Sequence, residues 1–128
     1  MFEKIRILVG IDGSVQSKKA LAQAISIANH FSGFVTAITV YEKGQEKKAE
    51  SVIEDAKQLL ASEGIKFDVS MVAGSNTAKI LVNYAKKENF NLIVVGSRGL
   101  GGRVSILLGS VSKQVVGNAY CNVLVVKK

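Results

Sequence analysis

The chain has 128 residues, 48% of them hydrophobic, with a single cysteine and a formal net charge of +7. That profile fits one globular domain over 1–128 that buries a core unaided, and argues against a disordered or disulfide-stapled chain. No apolar run approaches the ~18 residues that span a bilayer, and Met1-Phe2-Glu3-Lys4 leads straight into a strand, so a cytoplasmic protein without a secretory signal is expected.

The first predicted strand is Ile5-Arg6-Ile7-Leu8-Val9. A helix follows from about Ser14, its N-cap, with Ala20, Leu21, Ala24, Ile25, Ile27 and Ala28 on one face. His30, the only histidine, falls at the far end of this helix and reads as a surface residue. No Ser/His/Asp or Cys/His arrangement can be assembled around it. Phe34 to Val40 is the second strand, and Lys43 to Lys48 reads as a charged, solvated connection. A second helix carries Ala49, Val52, Ile53, Ala56, Leu59 and Leu60 and stops at Gly64. The third strand, Phe67 to Val72, alternates apolar and polar residues, as a strand with one wet face does.

Asn76-Thr77 opens a third helix holding Ile80, Leu81, Tyr84 and Ala85. Leu92 to Val95 is the fourth strand, Ser110 to about Asn118 the last helix, and Val123 to Val126 the last strand. Cys121 precedes that strand and reads as a small core residue. With a single Cys and a single His, no metal cluster is predicted.

Alternating strands and helices predict an α/β fold: an open parallel five-stranded sheet with helices on both faces. The first and fourth strands are near-continuously apolar and so belong in the middle, while the third suits an edge. The order 3-2-1-4-5 satisfies both conditions. It places a chain reversal between strands one and four, where ligands of such sheets bind. The wholly apolar fifth strand is then an edge, which invites pairing with a second copy through Val123, Leu124, Val125 and Val126.

The crevice at that reversal would be flanked by Asp12 on one side and Gly96 on the other. Gly96-Ser97-Arg98-Gly99 is followed, after nine intervening residues, by Gly109-Ser110-Val111-Ser112. A glycine-rich loop feeding a helix start suits an oxyanion, because unpaired N–H groups and the positive helix end converge there. No acidic residue occurs after Glu88, whereas Arg98, Arg103, Lys113, Lys127 and Lys128 do, which favours an anionic ligand. Tyr120 is the single aromatic among these cations, short of a run of stacking platforms, so nucleic acid is not the expected partner. The segment is not a P-loop, because Gly-Lys-Ser/Thr occurs nowhere. It lacks the third glycine and the downstream acid of a dinucleotide fingerprint. A phospho-receiver aspartate is also missing, since the third strand ends Met71-Val72-Ala73-Gly74.

The pattern Gly-x2-Gly-x9-Gly-Ser after a buried strand resembles the nucleotide-binding signature of the universal stress proteins. Ile7-Leu8-Val9-Gly10-Ile11-Asp12-Gly13-Ser14 resembles the opening of that family, and Cys121 to Val126 its close. The resemblance covers essentially the whole chain. It implies a flavodoxin-like domain, a dimer, and ATP, ADP or AMP as ligand with Mg²⁺ or Mn²⁺. By that resemblance Gly96, Ser97, Arg98, Gly99, Leu100, Gly101 and Gly102 wrap phosphates and ribose, and Gly109, Ser110, Val111 and Ser112 meet the phosphates. Asp12, with Gly10 beside it, faces the ribose or a phosphate-borne metal, and Val40 lines the adenine pocket. Ser110 and Ser112 equally suit helix capping, and Asp12 a turn before Gly13.

Where relatives carry proline this chain has Asn122, and Asn91 stands at a commonly acidic position. Asp12 is the only acid placed at the site, so binding and sensing are expected over rapid turnover. Two alternatives stay open: a slow Mg-dependent ATPase or nucleotidyl-transfer enzyme, and a nucleotide-free interaction module using the basic C-terminal segment.

Overall fold

The computed structural model describes residues 4–97 and 108–127. Strand and helix alternate along them. The strands are β1 (Arg6–Gly10), β2 (Phe34–Tyr41), β3 (Lys66–Ala73), β4 (Leu92–Gly96) and β5 (Asn122–Val126). The helices are α1 (Val15–Phe31), α2 (Glu46–Ser62), α3 (Thr77–Lys87) and α4 (Ser110–Asn118). All strands are parallel in the order β3-β2-β1-β4-β5, as the apolar patterning predicts.

Strand alternation splits the core into two layers. Ile7, Val9, Val35 and Val94 pack with Ala20, Leu21, Ala24 and Ile25 of α1 and with Ala56 and Leu60 of α2. Leu8, Ile38, Ile93 and Val95 pack on the opposite face with Leu81, Val82 and Ala85 of α3 and Val115 of α4. Burying each large aliphatic side chain is worth about 1.5–3 kcal/mol against exposure. Both layers meet across β1 and β4, which pins these strands at the centre.

Helix ends follow local chemistry. The Ser14 hydroxyl accepts the Ser17 N–H at 3.1 Å, and the Asn76 carboxamide accepts the Lys79 N–H at 3.1 Å. Ser32 adopts the left-handed conformation at the end of α1. The next residue, Gly33, has no room for a Cβ, which would lie 2.8 Å from the Ile5 carbonyl oxygen. His30 is exposed, with Nδ1 2.9 Å from the Ser26 carbonyl oxygen.

One boundary departs from expectation. The connection after β2 is shorter than Lys43 to Lys48, because α2 already begins at Glu46. Its first turn is charged and exposed, so no apolar period marks it. The Glu46 carboxylate accepts the Gly44 N–H at 3.3 Å, and an acid at this end is stabilised by the helix dipole.

β3 is an edge strand and partly wet, as predicted. β5 is the other edge, and its three valines and one leucine are only partly buried. Lys127, just past β5, is exposed. Asn91 joins β4 to β1 in both directions: its carboxamide oxygen accepts the Arg6 N–H at 2.7 Å, and its own N–H donates to the Arg6 carbonyl at 2.9 Å. Cys121 packs beside the layer that holds Val115 and Phe90, and burial raises its thiol pKa above the ordinary value.

Candidate functional site

The carboxyl ends of β1 and β4 carry the two loops that the sequence singles out. Past β1 the Ile11 N–H still donates to the Ile38 carbonyl at 2.9 Å, which keeps the chain on the sheet up to the turn. There the Asp12 Oδ1 accepts the Ser14 N–H at 2.9 Å, and the Asp12 N–H donates to Ser17 Oγ at 3.1 Å. Gly13 takes φ +84°, which an L side chain rarely adopts, so the turn needs glycine there. Ser14 and Ser17 are 7% and 5% exposed. Asp12 is therefore fixed at the start of α1, where the helix dipole favours its negative charge. The Asp12 carboxylate thus makes the turn bond that its place before Gly13 allows.

Gly96 ends β4 against the first turn of α1. A Cβ there would lie 2.9 Å from Gln16 Cβ and 3.1 Å from the Gln16 carbonyl oxygen. Gly10 has a milder version of the same constraint, since a Cβ would lie 3.0 Å from Leu81 Cδ1. Close packing against backbone thus accounts for Gly96 without a ligand, whereas at Gly10 only a side-chain end would have to give.

Ser97 joins four elements. Its N–H donates to the Val126 carbonyl at 2.9 Å, tying β4 to β5. Its carbonyl accepts the Gly109 N–H at 2.7 Å and the Ser112 hydroxyl at 3.0 Å. Its hydroxyl donates to Gln16 Oε1 at 3.1 Å. The two ends of the glycine-rich segment, Ser97 and Gly109, are consequently bonded to each other. The Ser112 hydroxyl also lies 3.0 Å from the Gly109 carbonyl, and the residue is 1% exposed.

Gly109 is the N-cap of α4 in an extended conformation, with no side-chain cap bond. The first turn closes with the Lys113 N–H on the Gly109 carbonyl at 3.0 Å. The N–H groups of Ser110, Val111 and Ser112 precede that bond, so they lie at the positive end of the helix. Ser110 is exposed, Val111 borders on exposed, and Lys113 is exposed beside them. Arg98, Gly99, Leu100, Gly101 and Gly102 lie outside the described residues, as do Arg103 and Lys128.

Val40 is half-buried near the end of β2, paired with Val72, and its Cγ1 lies 3.9 Å from where a Gly74 Cβ would be. It sits at the same end of the sheet as Gly10, which pairs with Ile38 two residues earlier. A cavity of about 300 Å³ between α1 and α2 shares Gly13 and Ser17 with the Asp12 turn and is otherwise lined largely by Ile11, Leu21, Val52 and Leu59. Among the described residues no group of three or more His, Cys, Asp or Glu side chains could hold a metal ion. No helix among them is long and apolar enough to cross a membrane.

The residue that sequence reasoning missed is Gln16. It lies four residues before Ala20, at the border of the apolar face of α1, and a lone polar side chain there carries no motif. Only the fold brings it to Ser97, eighty-one residues away. Through Ser17 to Asp12 and Gln16 to Ser97, the first turn of α1 holds both loops of the crevice.

Comparison with known proteins agrees with this fold. A model of the universal stress protein family matches residues 5–127. A universal stress protein of Methanocaldococcus jannaschii is 33% identical over 140 residues, covering 96% of this chain and 82% of that one. The structure of a universal stress protein in complex with cAMP is similar at TM-score 0.77 and 26% identity, covering 95% of this chain and 96% of that one. A universal stress protein of Archaeoglobus fulgidus in complex with dAMP shares the fold at TM-score 0.78 and 19% identity, over 99% of this chain and all of that one. The chain belongs to the universal stress protein family.

Proposed function

We propose that this member of the universal stress protein family binds an adenine nucleotide in the crevice between Asp12 and the start of α4, and acts as a nucleotide-dependent sensor or switch. The observation that carries the reading is the bonded neck Ser97–Gly109, which delivers the chain to the N-terminus of α4 beside a basic residue, Lys113. Three backbone N–H groups and the Ser110 hydroxyl are then donors for phosphate oxygens. A neighbour of similar sequence that holds cAMP supports the ligand class.

In this reading Gly96, Ser97, Arg98, Gly99, Leu100, Gly101 and Gly102 enclose phosphate and ribose, and Gly109, Ser110, Val111 and Ser112 contact phosphate. Ser112 contributes its N–H, since its hydroxyl is already directed to the Ser97 and Gly109 carbonyls. Val40 flanks the base, and Asp12, with Gly10 behind it, faces the ribose. ATP, ADP and AMP are the candidate ligands. Mg²⁺ or Mn²⁺ would be carried by the phosphates and supported by Asp12 alone, which suits an ion that keeps several waters and few protein ligands.

The partly buried apolar edge strand β5, with Val123, Leu124, Val125 and Val126, supports a homodimer in which this edge meets its symmetry mate. Calorimetric titration with AMP and ATP tests the ligand. Uptake is expected for the natural chain, and no binding at millimolar nucleotide would overturn the proposal. Sedimentation tests the dimer, and a monomer at micromolar concentration would overturn that part.

A further inference from the structure

We propose that Gln16 is a positioning residue for the start of α4, acting through Ser97. This rests on the nucleotide reading above for its consequence, but not for its geometry. The Ser97 carbonyl is the single acceptor on which both Gly109 N–H and Ser112 Oγ hang, at 2.7 and 3.0 Å. The orientation of that carbonyl is set by two further bonds of the same residue: its N–H on Val126 and its hydroxyl on Gln16 Oε1. The first anchors the peptide before Ser97 to the sheet edge. The second is a side-chain bond between two half-buried groups, and it fixes Ser97 against α1.

Gln16 itself cannot drift far. It lies in the first turn of α1, and the absence of a side chain on Gly96 lets its backbone pass within contact distance of β4. The adjacent Ser17 holds the Asp12 N–H. One helical turn thus reads the position of Asp12 through Ser17 and that of the α4 start through Gln16 and Ser97. A ligand that engages the α4 N-terminus binds a helix start whose place is already set, and so loses less ordering entropy on binding.

Gln16→Leu removes the acceptor while keeping the volume. Gln16→Glu keeps an oxygen acceptor for the Ser97 hydroxyl and is compatible with the first turn of a helix. Backbone amide exchange of Gly109 in the ligand-free full chain reads the neck directly. Exchange three- to tenfold faster is expected in Gln16→Leu, and near-natural exchange in Gln16→Glu. Titration of natural chain and Gln16→Leu with AMP and with adenosine reads the consequence. A three- to tenfold loss is expected for AMP and less than twofold for adenosine, because only AMP carries the group that meets α4. Unchanged Gly109 exchange in Gln16→Leu would overturn the inference, as would equal losses for AMP and adenosine. Faster Gly109 exchange in a chain that takes up no AMP would support the role of Gln16 and reject the nucleotide reading, so the two failures are distinguishable.

Discussion

The Ser112 hydroxyl lies 3.0 Å from the carbonyl oxygen of Ser97, a residue fifteen positions earlier, and it is buried there. A helix residue thereby fastens the loop that precedes its own helix. Ser112→Ala removes the hydroxyl donor to both the Ser97 and Gly109 carbonyls. A loss of about 0.5–1.5 kcal/mol is expected, the net worth of one hydrogen bond, because the Ser97 carbonyl keeps the Gly109 N–H and the Gly109 carbonyl keeps the Lys113 N–H. Denaturant unfolding should show this as a lower midpoint at unchanged slope, and Ser112→Thr, which keeps the hydroxyl, as the control for it.

Gly96→Ala tests whether close approach alone requires glycine at the end of β4. The new methyl would meet Gln16 at 2.9–3.1 Å, including its backbone carbonyl, which cannot swing aside as a side chain can. A destabilisation of about 1–3 kcal/mol is expected for overpacking of this kind. Gly10→Ala meets only the flexible end of Leu81 at 3.0 Å, so thermal unfolding should rank it well above Gly96→Ala.

Leu81 lies wholly inside the layer formed by Leu8, Ile38 and Ile93. Leu81→Ala should cost about 2–5 kcal/mol by lost transfer energy and the cavity left behind. A loss under 1 kcal/mol on chemical denaturation would contradict the packing described for α3.

Asp12→Asn retains an oxygen acceptor for the Ser14 N–H, whereas Asp12→Ala does not. Stability should therefore fall by about 0.5–2 kcal/mol in Asp12→Ala, as for a lost cap, and by less in Asp12→Asn. Mg²⁺-dependent enhancement of ATP binding, if the carboxylate supports the ion as proposed, should be lost in both. Thermal melts and titrations with and without Mg²⁺ separate the two roles.

Burial pushes the Cys121 thiol above its ordinary value, the only other contributions being smaller opposing hydrogen bonds. Its folded-state pKa is then higher than its unfolded one, so above the unfolded value the folded chain binds more protons. Stability contributed by this group is intact below that range and declines as pH rises through it. Alkylation near pH 8 should be markedly slower in the folded chain than in urea, because the thiolate is the nucleophile. Equal rates would show the thiol to be accessible and unperturbed.

The sequence by itself determined the strand order, because burial on both faces demands near-continuous apolar residues in β1 and β4 and tolerates alternation only at an edge such as β3. It also determined the helix starts at Ser14 and Asn76, where capping is a contact between residues three apart. The placing of Asp12 and of Gly96, where the glycine-rich segment begins, at one end of the sheet followed from that order. The start of α2 escaped it, since Glu46, Lys47 and Lys48 form a solvated first turn with no apolar period. Only the tertiary structure decided what Gly96, Ser97 and Gln16 do. Gly96 reads in sequence as a phosphate-loop glycine, but the reason a side chain cannot stand there is a helix backbone eighty residues distant in the chain. Gln16 carries no local sign of its role until the pairing of β1 with β4 brings Ser97 beside it. Contacts between residues so far apart in sequence leave no local period or cap to read, and they exist only once the sheet has brought β1 and β4 together.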